Sequence, residues 1–232
     1  MISLLNLSSH HGRLTLAIAL LSTIIVSCKK EAKDSKYPIQ MTFDTLEPSA
    51  EMRFFIGETE IDPQYNKVAV QGFLDRYYIE KTATGIINYQ SKFNEPEEDS
   101  YSNSSFTFNA EDDIKYAADI IETRKEDDVT IMKSRVTNKI DDVSIVKSDL
   151  FKYKFDLNPD GTYNYQYVVH EYDGSLDVSL LYYKLVRYDD DGNRKELAFG
   201  TVHNQFNEAF IKTLAAHDTL AVKEYRLKYS VK

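Results

Sequence analysis

The most reactive side chain in the sequence is its one cysteine, Cys28, which follows an apolar run and precedes a cluster of charged residues. A lone thiol has no partner for a disulfide within the chain and cannot supply a cysteine-rich zinc site. The role open to Cys28 therefore depends on the segments that flank it.

The residues before Cys28 have the three parts of a secretory signal. Residues 1–13 are short and end in a positive charge at Arg13, and residues 14–26 form a mostly apolar run without charge. This order is typical of a signal peptide. The run is also shorter than the ~20 apolar residues that a membrane-spanning helix needs. We therefore predict that residues 1–27 are a signal peptide.

The end of the run, Ile25-Val26-Ser27-Cys28, resembles the lipobox of bacterial lipoproteins, in which aliphatic and small residues precede an obligatory cysteine. The resemblance covers this segment alone. It implies that the Cys28 sulfur receives a diacylglycerol, that the leader is cleaved before Cys28, and that the new amine is acylated. Each buried CH₂ group contributes ~0.8 kcal/mol, so two or three acyl chains hold a protein firmly at a bilayer. Cys28 is the predicted lipidation site.

Residues 28–48 are polar and contain two prolines, which indicates a flexible tether. No Asp follows Cys28 directly, so the usual inner-membrane retention signal is absent. The tract from Lys29 to Asp34 partly resembles a lysine-and-acid signal for surface display in some Gram-negative bacteria. We predict an outer-membrane lipoprotein and leave open whether it faces the cell surface or the periplasm.

The charge balance of the chain restricts its partners. The formal net charge is −9, and we find no basic run beyond the tether. Nucleic-acid binding needs a basic patch, so the balance argues against it. The predicted partners are the membrane, through the lipid anchor, and an envelope protein or glycan.

The chain has no sequence motif for catalysis, a cofactor or a metal. After the predicted leader only His170, His203 and His217 remain, and none has the spacing of a zinc-binding helix. The Gly-x-Ser-x-Gly elbow and the phosphate-binding glycine loops are also missing. We therefore predict no catalytic residue, no cofactor and no metal site, and we favour a non-enzymatic protein.

Two clusters could nevertheless bind something. The acidic turn from Asp189 to Asn193 resembles a calcium loop, but Arg194 stands where an EF-hand needs glycine, so a solvated hairpin turn is favoured. A looser calcium site stays open.

The chain has 17 Tyr, 12 Phe and no Trp. Some of these tyrosines could form a platform for sugars or peptides, although their alternate spacing favours packing in a core. The candidates are Tyr163, Tyr165, Tyr167, Tyr182 and Tyr183.

Alternating apolar and polar residues predict mostly β-strands. We predict a hairpin of residues 151–157 and 163–169, a central strand over 176–185, and strands over 197–202 and 225–231. Further strands are predicted over residues 68–81, 86–93, 106–108, 129–136 and 143–146. Residues 94–105 are predicted to be an exposed polar loop. Helical spacing predicts short helices within 110–123 and 204–218, the second capped by Asn204 or Asn207.

Together these patterns predict a single mainly β domain over residues 49–232. Its expected architecture is an antiparallel β-sandwich or partly open barrel with one or two short helices. The leading functional hypothesis is a lipid-anchored envelope lipoprotein with a binding or scaffolding domain. A hydrolase that uses carboxylates from distant residues, and a β-barrel carrier of a small apolar ligand, remain as alternatives.

Overall fold

The computed structural model describes residues 38–74, 78–82, 85–89, 95–110, 113–116, 120–139, 149–172 and 174–231. The chain divides into two units, residues 1–38 and residues 39–232. The predicted signal peptide, Cys28 and the strand predicted over residues 143–146 lie outside the described residues. The prediction of a tether as far as residue 48 is wrong for its second half, because Ile39–Pro48 forms a strand of the sheet.

The domain is mainly β and antiparallel, as predicted. Among the described residues, its helical segments are one α-helix, α1 (Lys67–Leu74), and two short 3₁₀-helices (Glu98–Ser100 and Glu208–Thr213). The strands are β1 (Ile39–Pro48), β2 (Arg53–Ile56), β3 (Thr59–Ile61), β4 (Tyr78–Thr82), β5 (Gly85–Tyr89), β6 (Ser105–Ala110), β7 (Asp113–Tyr116), β8 (Ile120–Glu126), β9 (Val129–Lys139), β10 (Thr162–Tyr172), β11 (Ser175–Tyr188), β12 (Arg194–Val202) and β13 (Thr219–Val231).

Two long strands, β11 and β13, form the spine of the main sheet. They pair in register from Ser175 opposite Ser230 to Val186 opposite Thr219. The first part of β11 pairs with β10 and the second part with β12, while β13 pairs with β2 near its start and β1 near its end. The strand order is β7-β6-β1-β13-β11-β10-β9-β8, and over the described residues this sheet is not closed into a barrel.

The central position of β11 follows from its sequence, which is apolar on both faces. Leu180 lies in a core cluster on one face with Met132 and Leu227. Leu181 lies in a second cluster on the other face with Phe151 and Phe210. A strand buried on both faces belongs in the interior of a sheet, as predicted.

Most of the tyrosines considered for a ligand platform lie in these cores instead. Tyr163, Tyr167, Tyr182 and Tyr183 are each less than a tenth exposed. Each buried aromatic ring removes roughly 150–250 Å² of surface from water, so core packing is their main contribution. Burial of these four rings rules out a platform made of the predicted set.

The predicted hairpin of residues 151–157 with 163–169 is wrong, although its turn is confirmed. Residues 151–157 form only isolated bridges, from Phe151 to Phe206 and from Leu157 to Tyr163, while β10 pairs with β9 and β11. Burial still alternates along the segment. Gly161 closes the turn at φ +81°, and its N–H donates to the Asn158 carbonyl at 3.0 Å. Alternation identifies an extended segment but not its partner.

The structure has a helix where the sequence predicted the start of a strand, and strands where it predicted a helix. The strand predicted from residue 68 begins as α1, because Val70 and Phe73 at helical spacing pack against Phe54. The helix predicted within residues 110–123 is wrong, since strands β7 and β8 occupy this region. Strand β8 pairs with β9 across a tight turn that holds Asp127 at φ +52°.

Candidate functional site

A cleft of about 500 Å³ opens where the chain after β12 crosses the main sheet. The residues that define its chemistry come from three strands and two connecting segments: Lys152, His170, Ser179, Gln205, Glu224 and Arg226. Ser179 on β11 is paired with Arg226 on β13. Glu224 lies two residues before Arg226, so both β13 side chains project from the same face. The pleat therefore directs these groups from neighbouring strands into one space.

Asn204 fixes the crossing segment. Its side chain is fully buried, and its Oδ1 accepts hydrogen bonds from the N–H groups of Tyr153 at 3.2 Å and Gln205 at 2.8 Å. Its Nδ2 donates to the Tyr153 carbonyl at 2.7 Å. Backbone bonds from Lys152 N–H to the Gln205 carbonyl and from Asn207 N–H to the Leu150 carbonyl complete the attachment. The floor of the cleft is therefore held by hydrogen bonds between two segments, neither of which is part of a regular β-strand.

Gln205 links the polar groups on that floor. Its Nε2 lies 2.8 Å from His170 Nε2 and donates to Ser179 Oγ at 3.1 Å. Lys152 Nζ donates to Gln205 Oε1 at 3.4 Å. With the amide nitrogen donating, His170 Nε2 accepts and its Nδ1 carries the proton, on the side of the Asp128 carboxylate at 3.8 Å.

This arrangement bears on catalysis by Ser179. A serine nucleophile needs a histidine nitrogen that accepts its proton directly. Here the amide of Gln205 occupies both His170 Nε2 and Ser179 Oγ. The geometry therefore does not favour nucleophilic attack by Ser179.

Two carboxylates also line the cleft, and each has a partner. Glu208 forms an ion pair with Arg53, which also binds Glu60 at 2.9 Å. The hydrogen bond to Glu60 is the main reason that the pKa of Arg53 lies above its usual range, and the same bond lowers the pKa of Glu60. Glu224 accepts a hydrogen bond from the Phe206 N–H at 3.0 Å through Oε1.

A second polar group lies on the opposite face of β13. Glu95 accepts hydrogen bonds from Lys223 Nζ at 2.8 Å and from the Tyr225 hydroxyl. Burial alone would raise the pKa of Glu95, but these two bonds and the Lys223 charge lower it overall. Burial, and then the bond to Glu95, raises the pKa of Tyr225. The loop predicted over residues 94–105 is mainly exposed but is anchored to the sheet at Glu95.

The three histidines predicted to be background have different environments. His170 lies in the cleft, whereas His217 is exposed. His203 lies against the rings of Tyr101 and Tyr167, with ring centroids 6.5 Å and 4.7 Å away. Its Nε2 is buried without a hydrogen-bond partner among the described residues, and burial lowers the pKa of His203 to about 4.

The acidic turn from Asp189 to Asn193 has the hairpin geometry favoured from the sequence. Asp189 Oδ1 accepts hydrogen bonds from the N–H groups of Asp191 at 3.1 Å and Asn193 at 2.8 Å. The carboxylate is thus used within the turn. In the part of the chain that the structure describes, no group of three or more His, Cys, Asp or Glu side chains is placed to hold a metal ion.

Sequence reasoning missed most of the cleft. Only His170 was singled out, because Ser179 and Glu224 occur in strands as ordinary polar residues, and Gln205 was considered only as part of a helix. The one usable signal was the alternation along β13, which places Glu224 and Arg226 on the same face. In place of the helix predicted within residues 204–218, the structure has a shorter 3₁₀-helix, Glu208–Thr213. Its N-cap is Asn207, which is one of the two caps predicted from the sequence.

Comparison of the chain with protein-family models, with curated proteins and with solved structures gave no match. None of the helices in the described ranges is long and apolar enough to cross a membrane.

Proposed function

We propose that this chain is a lipid-anchored lipoprotein of the bacterial outer membrane whose β domain binds a small polar ligand without transforming it. The anchor is supported by the lipobox-like run Ile25-Val26-Ser27-Cys28. The binding role is supported by one observation above the others, the cleft whose floor is organised by Gln205.

The cleft has the properties of a preformed binding site. Its volume of about 500 Å³ falls within the ~300–1,000 Å³ typical of small-molecule sites. Its polar groups are already oriented by one another, so a ligand need not order them, which favours affinity. Phe206 adds an apolar surface beside these groups.

The hydrolase alternative is less well supported by the same geometry. A carboxyl group acting as general acid must be protonated near neutral pH, which requires a site that disfavours the carboxylate. Glu208 instead faces the Arg53 guanidinium, and Glu224 accepts a backbone N–H bond. Both carboxylates are thus already engaged by groups of the domain.

The carrier alternative requires a closed barrel around an apolar cavity. Over the described residues the sheet is open. The core on one face of the sheet is filled by side chains, among them Phe106, Leu227 and Tyr229, each fully buried. We therefore place the ligand in the polar cleft.

The anchor is tested by substituting Cys28→Ala and following palmitate labelling and membrane fractionation. We expect labelling to be lost and the protein to leave the membrane fraction. Ser27→Ala is the matched control, because it keeps a small residue before the cysteine and is expected to label normally. Continued labelling of the Cys28→Ala protein would refute the anchor.

The binding role is tested by screening amino acids, peptides and glycans against the full chain in detergent by ligand-observed NMR. Ser179→Phe places a ring in the cleft, and we expect it to abolish any binding detected. Ser102→Phe, on an exposed loop position, is the matched control and is expected to bind normally. Binding unaffected by Ser179→Phe would place the ligand elsewhere, and an entirely negative screen would refute the role.

A further inference from the structure

In the described part of the domain, two charged groups on the wall of the cleft lack a direct ion-pair partner, although the Lys152 ammonium is attracted by the more distant carboxylates of Asp127 and Asp128. Within the described residues, neither the Lys152 ammonium nor the Glu224 carboxylate has an oppositely charged group within 4.0 Å. One is a cation and the other an anion, and both line the same space of about 500 Å³. The cleft therefore carries one unpaired charge of each sign.

The remaining lining charges are already matched. Glu208 is bound by Arg53. Arg226 lies 3.8 Å from Asp177, whose side chain is only 9% exposed. Glu208 and Arg226 are therefore already engaged by oppositely charged groups of the domain, whereas Lys152 and Glu224 keep capacity to pair with a ligand.

Hydrogen-bonding capacity is left over beside both charges. Ser179 Oγ accepts from Gln205, which leaves the hydroxyl hydrogen free to be donated. Glu224 uses Oε1 for the Phe206 N–H, which leaves Oε2 as an acceptor. The cleft thus offers donors suited to a carboxylate near Lys152 and an acceptor suited to an ammonium group at Glu224.

A ligand that covers both charges must compensate both, because a desolvated charge without a partner is costly. A neutral sugar would compensate neither charge fully. A simple anion would leave Glu224 unmatched, and a simple cation would leave Lys152 unmatched. A zwitterion matches both groups.

We infer that the cleft binds an α-amino acid or a short peptide with free termini, with its carboxylate at Lys152 and Ser179 and its ammonium group at Glu224. This inference rests on the proposed binding function and specifies its ligand class. The cleft is large enough for a ligand of up to a few residues.

The test measures binding of trialanine to the full lipidated chain in detergent by isothermal titration calorimetry. The matched probes are trialanine blocked by N-acetylation and trialanine blocked by C-amidation. We expect each block to weaken binding at least tenfold. A neutral trisaccharide, maltotriose, serves as the uncharged comparison and is expected not to bind.

Two substitutions assign the ends of the peptide. Glu224→Gln keeps the acceptor for the Phe206 N–H and the side-chain volume but removes the charge, so it should no longer distinguish free from N-acetylated peptide. Lys152→Gln should no longer distinguish free acid from amide. Lys154→Gln is the control, because Lys154 is 70% exposed and pairs with Asp149 away from the cleft; it should bind like the wild type.

The outcomes separate this inference from the function on which it rests. No binding of free trialanine, or equal binding of free and blocked peptides by the wild-type protein, overturns the zwitterion inference even if a variant does not fold. Binding of maltotriose in its place also overturns the inference, but it leaves the binding function standing if Ser179→Phe abolishes it. A negative screen with the whole panel removes both.

Discussion

His203 should make the stability of this domain fall steeply as the solution becomes mildly acidic. Its pKa is lowered from 6.5 to about 4 by burial. The unfolded chain therefore takes up a proton below pH 6.5, whereas the folded chain does so only near pH 4. The stability associated with neutral His203 is complete above pH 6.5 and is lost as the pH falls from 6.5 towards 4. Linkage between protonation and folding predicts that the free energy of unfolding falls by about 2 kcal/mol between pH 7.5 and pH 5. The complete loss at lower pH would be about 3 kcal/mol, because each unit of pKa difference between the unfolded and folded states is worth about 1.36 kcal/mol.

The assay is urea unfolding of the full chain in detergent, followed by far-UV circular dichroism at both pH values. His203→Phe keeps a ring against Tyr101 and Tyr167 but cannot titrate, so its loss of stability between the two pH values should be smaller by about 2 kcal/mol. His217→Gln, at an exposed position, should keep the wild-type pH dependence. Glu95, whose lowered pKa starts from an ordinary 4.5, should lose its contribution only below this window. An unchanged pH dependence in His203→Phe would refute the reasoning.

Three further substitutions test how the cleft and the sheet are supported. Asn204→Ala removes three hydrogen bonds from a fully buried position, and should lower the free energy of unfolding by about 3 kcal/mol and weaken ligand binding; normal stability in urea would contradict this. Lys184→Met removes a fully buried ammonium group that donates to the carbonyls of Phe73 at 2.6 Å and Leu74 at 3.2 Å at the end of α1. We expect the free energy of unfolding in urea to fall by about 2 kcal/mol. A more stable variant would contradict this, because it would show that burying the charge costs more free energy than its hydrogen bonds contribute. Gly57→Ala should lower the free energy of unfolding by about 1–2 kcal/mol. The reason is that Gly57 has φ +54° and the new Cβ would lie 3.2 Å from the backbone Cα of Ala216. An unchanged melting temperature would contradict the turn geometry.

Local patterns were sufficient to predict the class of the fold and its most regular strands. Strand β11 has apolar residues on both faces, and it lies between other strands as this pattern requires. The turn from Asp189 to Asn193 and the alternating strand at the C-terminus follow from chemistry within a few residues. In these cases the evidence for an element lay within the element itself.

The incorrect predictions depended on partners distant in the sequence. Residues 151–157 alternate like a strand, but their contacts are with residues near 204–207, about 50 positions later. Residues 67–74 contain apolar side chains compatible with either structure, and packing against Phe54 decides for a helix. The cleft could not be predicted for the same reason, since Gln205, His170 and Ser179 meet only after the chain has crossed the sheet.

The most direct test of the account is the intact mass of the protein extracted from the membranes of its native host. The account predicts a chain that begins at Cys28 and carries a diacylglycerol on the sulfur with a further acyl chain on the amine. A chain that retains residues 1–27, or one that begins elsewhere without fatty acid, would contradict the lipid anchor and with it the proposed place of action.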